Sequence, residues 1–289
     1  MAIDMKLSVI LPAKNEAAGL LKTLPALRAL HPDAELIVVD DGSIDETASI
    51  AAEHGAIVLS SPYSMGNGAA IKRGSAAATG DVLVFMDADG QHDPAHVSLL
   101  LEKLSEGYDM VVGARDASGQ ASLGRRIANG FYNRLASWMT EQSILDLTSG
   151  FRAARADRFR EFLHLLPNGF SYPTTSTMAF FRSAYPVAYV TVPVARRQGT
   201  SSHIRPLKDG VRFLLIIFKI ATLYSPLKLF VPVGMGFFLL GLGYYSYTYL
   251  TMGRFTNMSA LLFSASVIVF LIGLVSEQIT SLTYTRHGK

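Results

Sequence analysis

The sequence predicts an α/β domain on a mostly parallel sheet, then an amphipathic interfacial helix, then a two-helix transmembrane hairpin. Three observations carry this. Short apolar runs alternate with helical segments from Leu7 to Val112, the pattern of a parallel sheet covered on both faces. Two long uncharged stretches stand near the end: 25 residues between Lys228 and Arg254, and 22 between Arg254 and Glu277. The charge is also unevenly divided. Residues 1–114 hold 7 Lys/Arg against 16 Asp/Glu, a net −9, whereas residues 115–212 hold 14 against 6, a net +8.

The elements follow in order. Leu7–Leu11 is an apolar run closed by Pro12 and reads as a buried strand; Ala17–Leu30 is a helix. Glu35–Val39 is a second strand that ends in Asp40-Asp41-Gly42-Ser43, and Asp45–His54 is a helix stopped by Gly55. Ala56–Leu59 is a third strand and Gly68–Ala78 a helix closed by Gly80. Val82–Met86 is a fourth strand ending in Asp87-Ala88-Asp89; Pro94–Ser105 is a helix and Met110–Val112 a fifth strand. In such sheets ligands sit beyond the carboxyl ends of the strands. The polar residues found there are Asn15, Glu16, Asp40, Asp41, Asp87, Asp89 and Arg115.

Pro206–Ser225 mixes Lys208, Asp209, Arg212 and Lys219 with apolar residues, of which those at 211, 214, 215 and 218 follow a helical spacing. Beside a membrane span it reads as a helix in the headgroup plane, with an ordinary core-facing helix as the alternative. The spans are placed at Leu229–Leu250 and Met258–Leu282, each long enough for a hydrocarbon core that needs about 20 residues. Lys219 and Lys228 precede the first span, and Arg286 and Lys289 follow the second. The positive-inside rule therefore puts the N-terminal region and the C-terminus in the cytoplasm, at the inner (plasma) membrane. Met1–Leu7 holds no long apolar run, so no signal peptide is expected. Glu277 is expected to snorkel toward the interface near Arg286.

Composition closes off other classes. Hydrophobic residues make up 49% and charged residues 17%, with mean hydropathy +0.28, which excludes a disordered chain and argues against a wholly soluble one. The absence of cysteine excludes disulfides, a thiolate zinc site and a thiol nucleophile. The basic half lacks lysine runs and interleaved aromatic residues, which disfavours nucleic acid. No GxGxxG follows the first strand, so a dinucleotide-binding unit is not expected.

Asp87-Ala88-Asp89-Gly90-Gln91 is the most informative segment. Two carboxylates one residue apart at a strand end can converge on one hard cation, and Gln91 adds an oxygen. On spacing alone such a pair also occurs by chance. His92 reads as a hydrogen-bonded spacer, with a general base as the alternative, and His31, His54, His96 and His164 show no metal-ligand spacing.

The ordered set is more specific than any member. Pro12-x-x-Asn15-Glu16, Val39-Asp40-Asp41-Gly42-Ser43-x-Asp45-x-Thr47, Gly66-Asn67-Gly68 and Asp87-Ala88-Asp89-x-Gln91-His92-x-Pro94 resemble a family 2 glycosyltransferase of the GT-A fold. Gly113-Ala114-Arg115, Arg125-Arg126 with Asn129 and Asn133, Asp146-x-Thr148-Ser149-Gly150-Phe151-Arg152 and Arg197-x-Gly199-x-Ser201 are similar to dolichol-phosphate mannosyltransferases and bacterial polyprenyl-phosphate glycosyltransferases. The resemblance covers about residues 5–230. It divides the chain into a GT-A domain at 1–204, interfacial helices at 205–228 and a hairpin with a short tail at 229–289.

The resemblance implies a membrane-anchored inverting enzyme that moves one sugar from a nucleotide-sugar to a polyprenyl phosphate on the cytoplasmic leaflet. Pro12, Asn15, Glu16, Asp40, Asp41 and Ala88 would line the donor. Asp87, Asp89 and Gln91 would hold Mg²⁺ or Mn²⁺ against its diphosphate, with Arg115 joining Asp87 and Asp89 as a catalytic group. Arg126, Ser149, Arg197 and Ser201 would take the acceptor phosphate. Where many relatives have Lys after that last Ser, this chain has Ser202 and His203. A homo-oligomer stays open. A processive polysaccharide synthase is disfavoured by the lack of a QxxRW segment; a non-catalytic sugar-nucleotide-binding membrane subunit is disfavoured by intact Asp87, Asp89 and Arg115.

Overall fold

The computed structural model describes residues 5–115, 123–169, 171–193, 218, 222 and 224–285; within these, the side chains of 123–129, 283 and 285 lie outside the description. The chain forms two compact units, Met1–Pro206 and Leu207–Lys289.

Among the described residues the first unit is built on seven strands: β1 (Leu7–Ala13), β2 (Glu35–Asp40), β3 (Ile57–Ser60), β4 (Val82–Phe85), β5 (Met110–Arg115), β6 (Arg152–Arg155) and β7 (Val187–Val192). Their order across the sheet is β3-β2-β1-β4-β6-β5-β7. Every neighbouring pair is parallel except those with β6, which runs antiparallel between β4 and β5. Because β6 reverses twice, β4 and β5 still point the same way. The carboxyl ends of β1, β2, β4 and β5 therefore share one edge. The chain order turns over between β1 and β4, the position where such sheets open a ligand crevice.

The helices of this unit are α1 (Ala17–Leu30), α2 (Thr47–Glu53), α3 (Asn67–Ala77), α4 (His96–Ser105), α5 (Leu123–Thr140), α6 (Ala156–Arg160) and α7 (Tyr172–Arg182). The central strands are buried on both faces: Val9, Ile10, Leu11, Ile37, Val38, Val39, Leu83, Val84 and Phe85 are all fully buried. That is why they read as unbroken apolar runs rather than as alternating ones.

β1 runs two residues beyond the expected end and takes in Pro12, which pairs with Val39. The β4 ladder stops at Ile10↔Phe85, so at Pro12 no neighbour on that side asks for an N–H. β6 and β7 were not anticipated. β6 offers only two alanines between arginines, and β7 is an edge strand of mixed exposure.

The second unit contains α8 (Pro226–Met252) and α9 (Asn257–Thr285). Both are long and apolar enough to cross a membrane, with mean hydropathies of 1.6 and 2.5 in their richest windows. The turn between them is closed by Gly253 in the left-handed region (φ 62°), whose N–H donates to Tyr249 at 2.9 Å. The helices approach through glycines. A Cβ at Gly273 would stand 2.5 Å from the Cβ of Phe230, and one at Gly241 would stand 3.1 Å from that of Leu262.

Glu277, near the end of α9, reaches the start of α8. Its Oε2 accepts the Ser225 hydroxyl at 3.2 Å and the Leu227 N–H at 3.3 Å, so it caps the start of α8. The first turn of a helix leaves N–H groups without partners, and near an apolar phase a carboxylate is a better acceptor than none. The interfacial segment expected at 205–228 lies mostly outside the described residues.

Candidate active site

The site is assembled at the β1/β4 switch point by loops pinned to one another through backbone donors. After β1, Asn15 adopts φ 55°, a conformation that asparagine tolerates. Its Oδ1 accepts the Ile44 N–H, and its own N–H donates to Ser43 Oγ, both at 2.9 Å. The Glu16 N–H donates to Thr47 Oγ1 at 2.9 Å, and the Ala17 N–H to Asp45 Oδ2 at 3.3 Å. The start of α1 is thereby tied to the loop after β2.

Asp40 and Asp41, at the end of β2, are both buried. Asp40 Oδ1 accepts the Ser43 N–H at 2.9 Å. Asp41 accepts three donors: Ser64 Oγ and Met65 N at 2.6 Å and Gly66 N at 2.9 Å. Burial alone would raise its carboxyl; these donors and nearby Lys14 outweigh it and hold the group below the usual carboxylate range. Gly66 (φ 100°) and Gly68 then lie against the 167–169 backbone: a Cβ at Gly68 would be 1.9 Å from the Pro167 carbonyl. The first N–H groups of α3 donate to the carbonyls of Gly169 and Asn168 at 3.2 and 2.9 Å, so this helix start is already filled.

The loop after β4 holds Asp87, Ala88 and Asp89. It turns at Gly90 (φ 72°), and Asp89 Oδ1 accepts the Gln91 N–H at 3.1 Å. Its position is set from behind by α1. A Cβ at Gly19 would lie 2.1 Å from the Ala88 carbonyl oxygen, so only glycine admits this approach. His92 is 6% exposed and stacks on Phe151, with centroids 4.8 Å apart and planes at 18°. Burial pushes its pKa down to about 4; Asp89 opposes and Arg115 adds to the effect. The ring is neutral near pH 7; among the described residues its Nδ1 has no hydrogen-bond partner, and its face is taken up by Phe151. Lys22, Thr23, Gln91, His92, His96 and Pro193 are among the residues lining a cavity of about 520 Å³ beside this loop.

At the end of β5 the sequence did not reveal the partner of Arg115. Asp146 takes its Nε at 2.8 Å and Nη2 at 3.1 Å, and Thr148 Oγ1 takes Nη2 at 2.5 Å. Asp146 also accepts the N–H groups of Thr148 and Ser149 at 3.0 and 3.1 Å. Burial would raise Asp146, but Arg115 and these donors hold it low; the same pairing raises Arg115 against its own burial. The guanidinium keeps 29% of its side chain exposed, against 7% for the carboxylate. Ser149, expected at the acceptor phosphate, gives its hydroxyl to the Gly113 carbonyl at 2.6 Å and is 2% exposed. As placed, it fixes the loop to β5 rather than presenting a hydroxyl to a ligand.

Gly150 brings this loop against Asp87: a Cβ there would be 3.2 Å from Oδ2. Behind it the fully buried Arg152 donates to the carbonyls of Ser149 and Pro173 and to Ser176 Oγ. The structure thus gathers Asn15, Glu16, Asp40, Asp41, Asp87, Ala88, Asp89, Gln91 and Arg115 at one edge. Arg126 sits on α5 with its side chain outside the described residues, and Arg197 and Ser201 lie outside them altogether. A local signal for the clamp did exist: Asp146-x-Thr148-Ser149 is an Asx-type loop former.

The glycosyl transferase family 2 profile matches residues 8–183. The chain belongs to this family. A second profile, described as the GtrB C-terminal hairpin, matches 225–282. Among curated proteins, the glycosyltransferase AglJ of Haloferax volcanii is 27% identical over 288 residues, covering 95% of this chain and 93% of that protein. The undecaprenyl-phosphate 4-deoxy-4-formamido-L-arabinose transferase of Photorhabdus laumondii is 38% identical over 162 residues, 52% of this chain; the match spans only 49% of that protein. Among solved structures, glucosyl-3-phosphoglycerate synthase from Mycobacterium tuberculosis with Mn²⁺ and UDP-glucose superposes with a TM-score of 0.60 at 26% identity, over 75% of this chain and 78% of that one. The fold is therefore GT-A, as the motif order implied, and this family 2 glycosyltransferase carries a two-helix apolar tail.

Proposed function

We propose that the chain transfers one sugar from a nucleotide-sugar to a polyprenyl phosphate at the cytoplasmic face of a membrane, by direct displacement with inversion. One observation carries the reading. Asp87 and Asp89 stand at the crevice between β1 and β4, and the loop that clamps Arg115 packs directly against Asp87. Carboxylates for a cation and an arginine for phosphate thus meet in one place. The names of the arabinose transferases support the acceptor, and the Mn²⁺ and UDP-glucose of the solved neighbour support the donor and the cation.

The residues present fit Mg²⁺ or Mn²⁺. Among the described residues no group of three His, Asp or Glu could hold a metal alone. Two hard carboxylates and the Gln91 amide suit a cation completed by diphosphate and water, and glycine at 150 leaves the space before Asp87 open. When bound, the cation would neutralise charge developing on the leaving diphosphate. Asp87 and Asp89 would orient that diphosphate. Asn15, Glu16, Asp40 and Asp41 would shape the donor pocket, chiefly through the loops they tie. Arg115, held flat by Asp146, would offer a fixed cation to a phosphate oxygen. Arg126, Arg197 and Ser201 would take the acceptor, whose phosphate is an anion near neutral pH and needs no strong protein base. Lys219, Lys228, Arg286 and Lys289 flank the spans and favour a cytoplasmic catalytic unit.

The test is turnover of the full chain with labelled nucleotide-sugars and a bacterial lipid extract. A lipid-linked monosaccharide supports the reading; a polymer, or no product, overturns it.

A further inference from the structure

We propose that the outward face of α5 lies against an anionic lipid surface, with Trp138 at headgroup level. Across Leu123–Thr140 the helix holds Arg125, Arg126 and Arg134 and no acidic residue. One side packs inward through Tyr132, Ala136, Met139 and Thr140, all 6% exposed or less. On the other side Trp138 is 52% and Phe131 50% exposed; the two are seven residues apart and so share a face, with exposed Arg134 between them. Loop 144–147 is laid along the helix by Asn133, which donates to the Leu145 carbonyl at 2.5 Å and accepts the Leu147 N–H at 3.1 Å. Leu145 is left 55% exposed there.

A half-exposed indole beside an arginine and further apolar side chains is the composition of a membrane-interface contact. Charge selects the occupant. The helix is uniformly basic within a segment of net +8, so the complementary surface is negative. A second copy paired through the same face would set Arg134 against its symmetry mate. The proposal rests on the membrane reading of the hairpin: held at a bilayer by α8 and α9, even a weak contact acts at high effective concentration.

Trp138 is the only tryptophan and the chain has no cysteine, so both probes are unambiguous. The full chain is reconstituted into phosphatidylcholine/phosphatidylglycerol vesicles carrying bromine on the upper acyl chain, and flotation in carbonate reports insertion of the hairpin separately. Trp138 emission is expected to fall roughly twofold relative to unbrominated vesicles, as for interfacial indoles, and Arg134→Glu should reverse most of that quenching. Inserted protein with unquenched emission overturns the proposal while leaving the hairpin reading intact. Efficient disulfide dimers of the Trp138→Cys variant in the same vesicles would overturn it in favour of a second copy. Failure to float would overturn the hairpin reading and this proposal together.

Discussion

Asp146→Asn removes one negative charge and almost no volume. In the parent, Asp146 accepts the Arg115 guanidinium through two atoms and the N–H groups of Thr148 and Ser149. The amide oxygen can keep the backbone donors, but the amide nitrogen faces a guanidinium that also donates. Breaking a buried ion pair costs about 3–5 kcal/mol. Arg115 is 29% exposed, so part of its charge is recovered by water, and about 2–3 kcal/mol is the expected loss. For a unit of this size that lowers the melting midpoint by about 5–10 °C. The pH dependence has a definite sign. Asp146 is held low in the folded state, so its contribution is present above the unfolded carboxylate value near ~3.9 and is lost as pH falls through the folded value. The gap between parent and variant should stay constant from about pH 8 to about pH 5 and close below about pH 4. Urea unfolding of both proteins, followed by circular dichroism and Trp138 fluorescence at pH 7 and at acid pH, measures it. Equal midpoints at pH 7, or a gap that persists in acid, would refute the electrostatic clamp.

Three further outcomes follow from the same geometry. Gly19→Ala drives a methyl to 2.1 Å from the Ala88 carbonyl; it should cost about 1–3 kcal/mol by overpacking and depress donor affinity, which thermal shift with nucleotide-sugar and Mn²⁺ detects. His92, at about 4 when folded against about 6.5 when unfolded, disfavours protonation of the folded state; it should add a stability loss of about 3 kcal/mol as pH falls from 6.5 to 4, which His92→Phe would abolish in pH-resolved melts. Glu277→Ala leaves the Ser225 hydroxyl and the Leu227 N–H without this acceptor and should weaken the start of α8 by about 1–2 kcal/mol, visible as faster amide exchange at 227–229.

Much of this molecule could be read from its sequence because the relevant physics is local. Central strands of a parallel sheet are apolar on both faces, so Leu36–Val39 and Val82–Phe85 announce themselves. Glycine and carboxylate punctuation at strand ends marked the loops that form the site. What stayed hidden is non-local. β6 is a four-residue strand whose apolar content is two alanines, recognisable only by the neighbours that bury it. The Arg115–Asp146 pair spans 31 residues, and no periodicity links its members. The family resemblance places Ser149 and Asp41 at ligands, but no local pattern announced the bonds they make in the fold, Ser149 to the Gly113 carbonyl and Asp41 to Ser64, Met65 and Gly66.

The most direct test of the account is the initial rate of sugar transfer to vesicle-embedded polyprenyl phosphate as Mn²⁺ is titrated, for the parent chain and for Asp89→Ala. The account predicts a saturable Mn²⁺ dependence in the parent and, in a variant shown by circular dichroism to be folded, no transfer and no Mn²⁺-dependent donor binding. Parent-like rates in Asp89→Ala, or a parent rate indifferent to divalent cation after chelation, would contradict it.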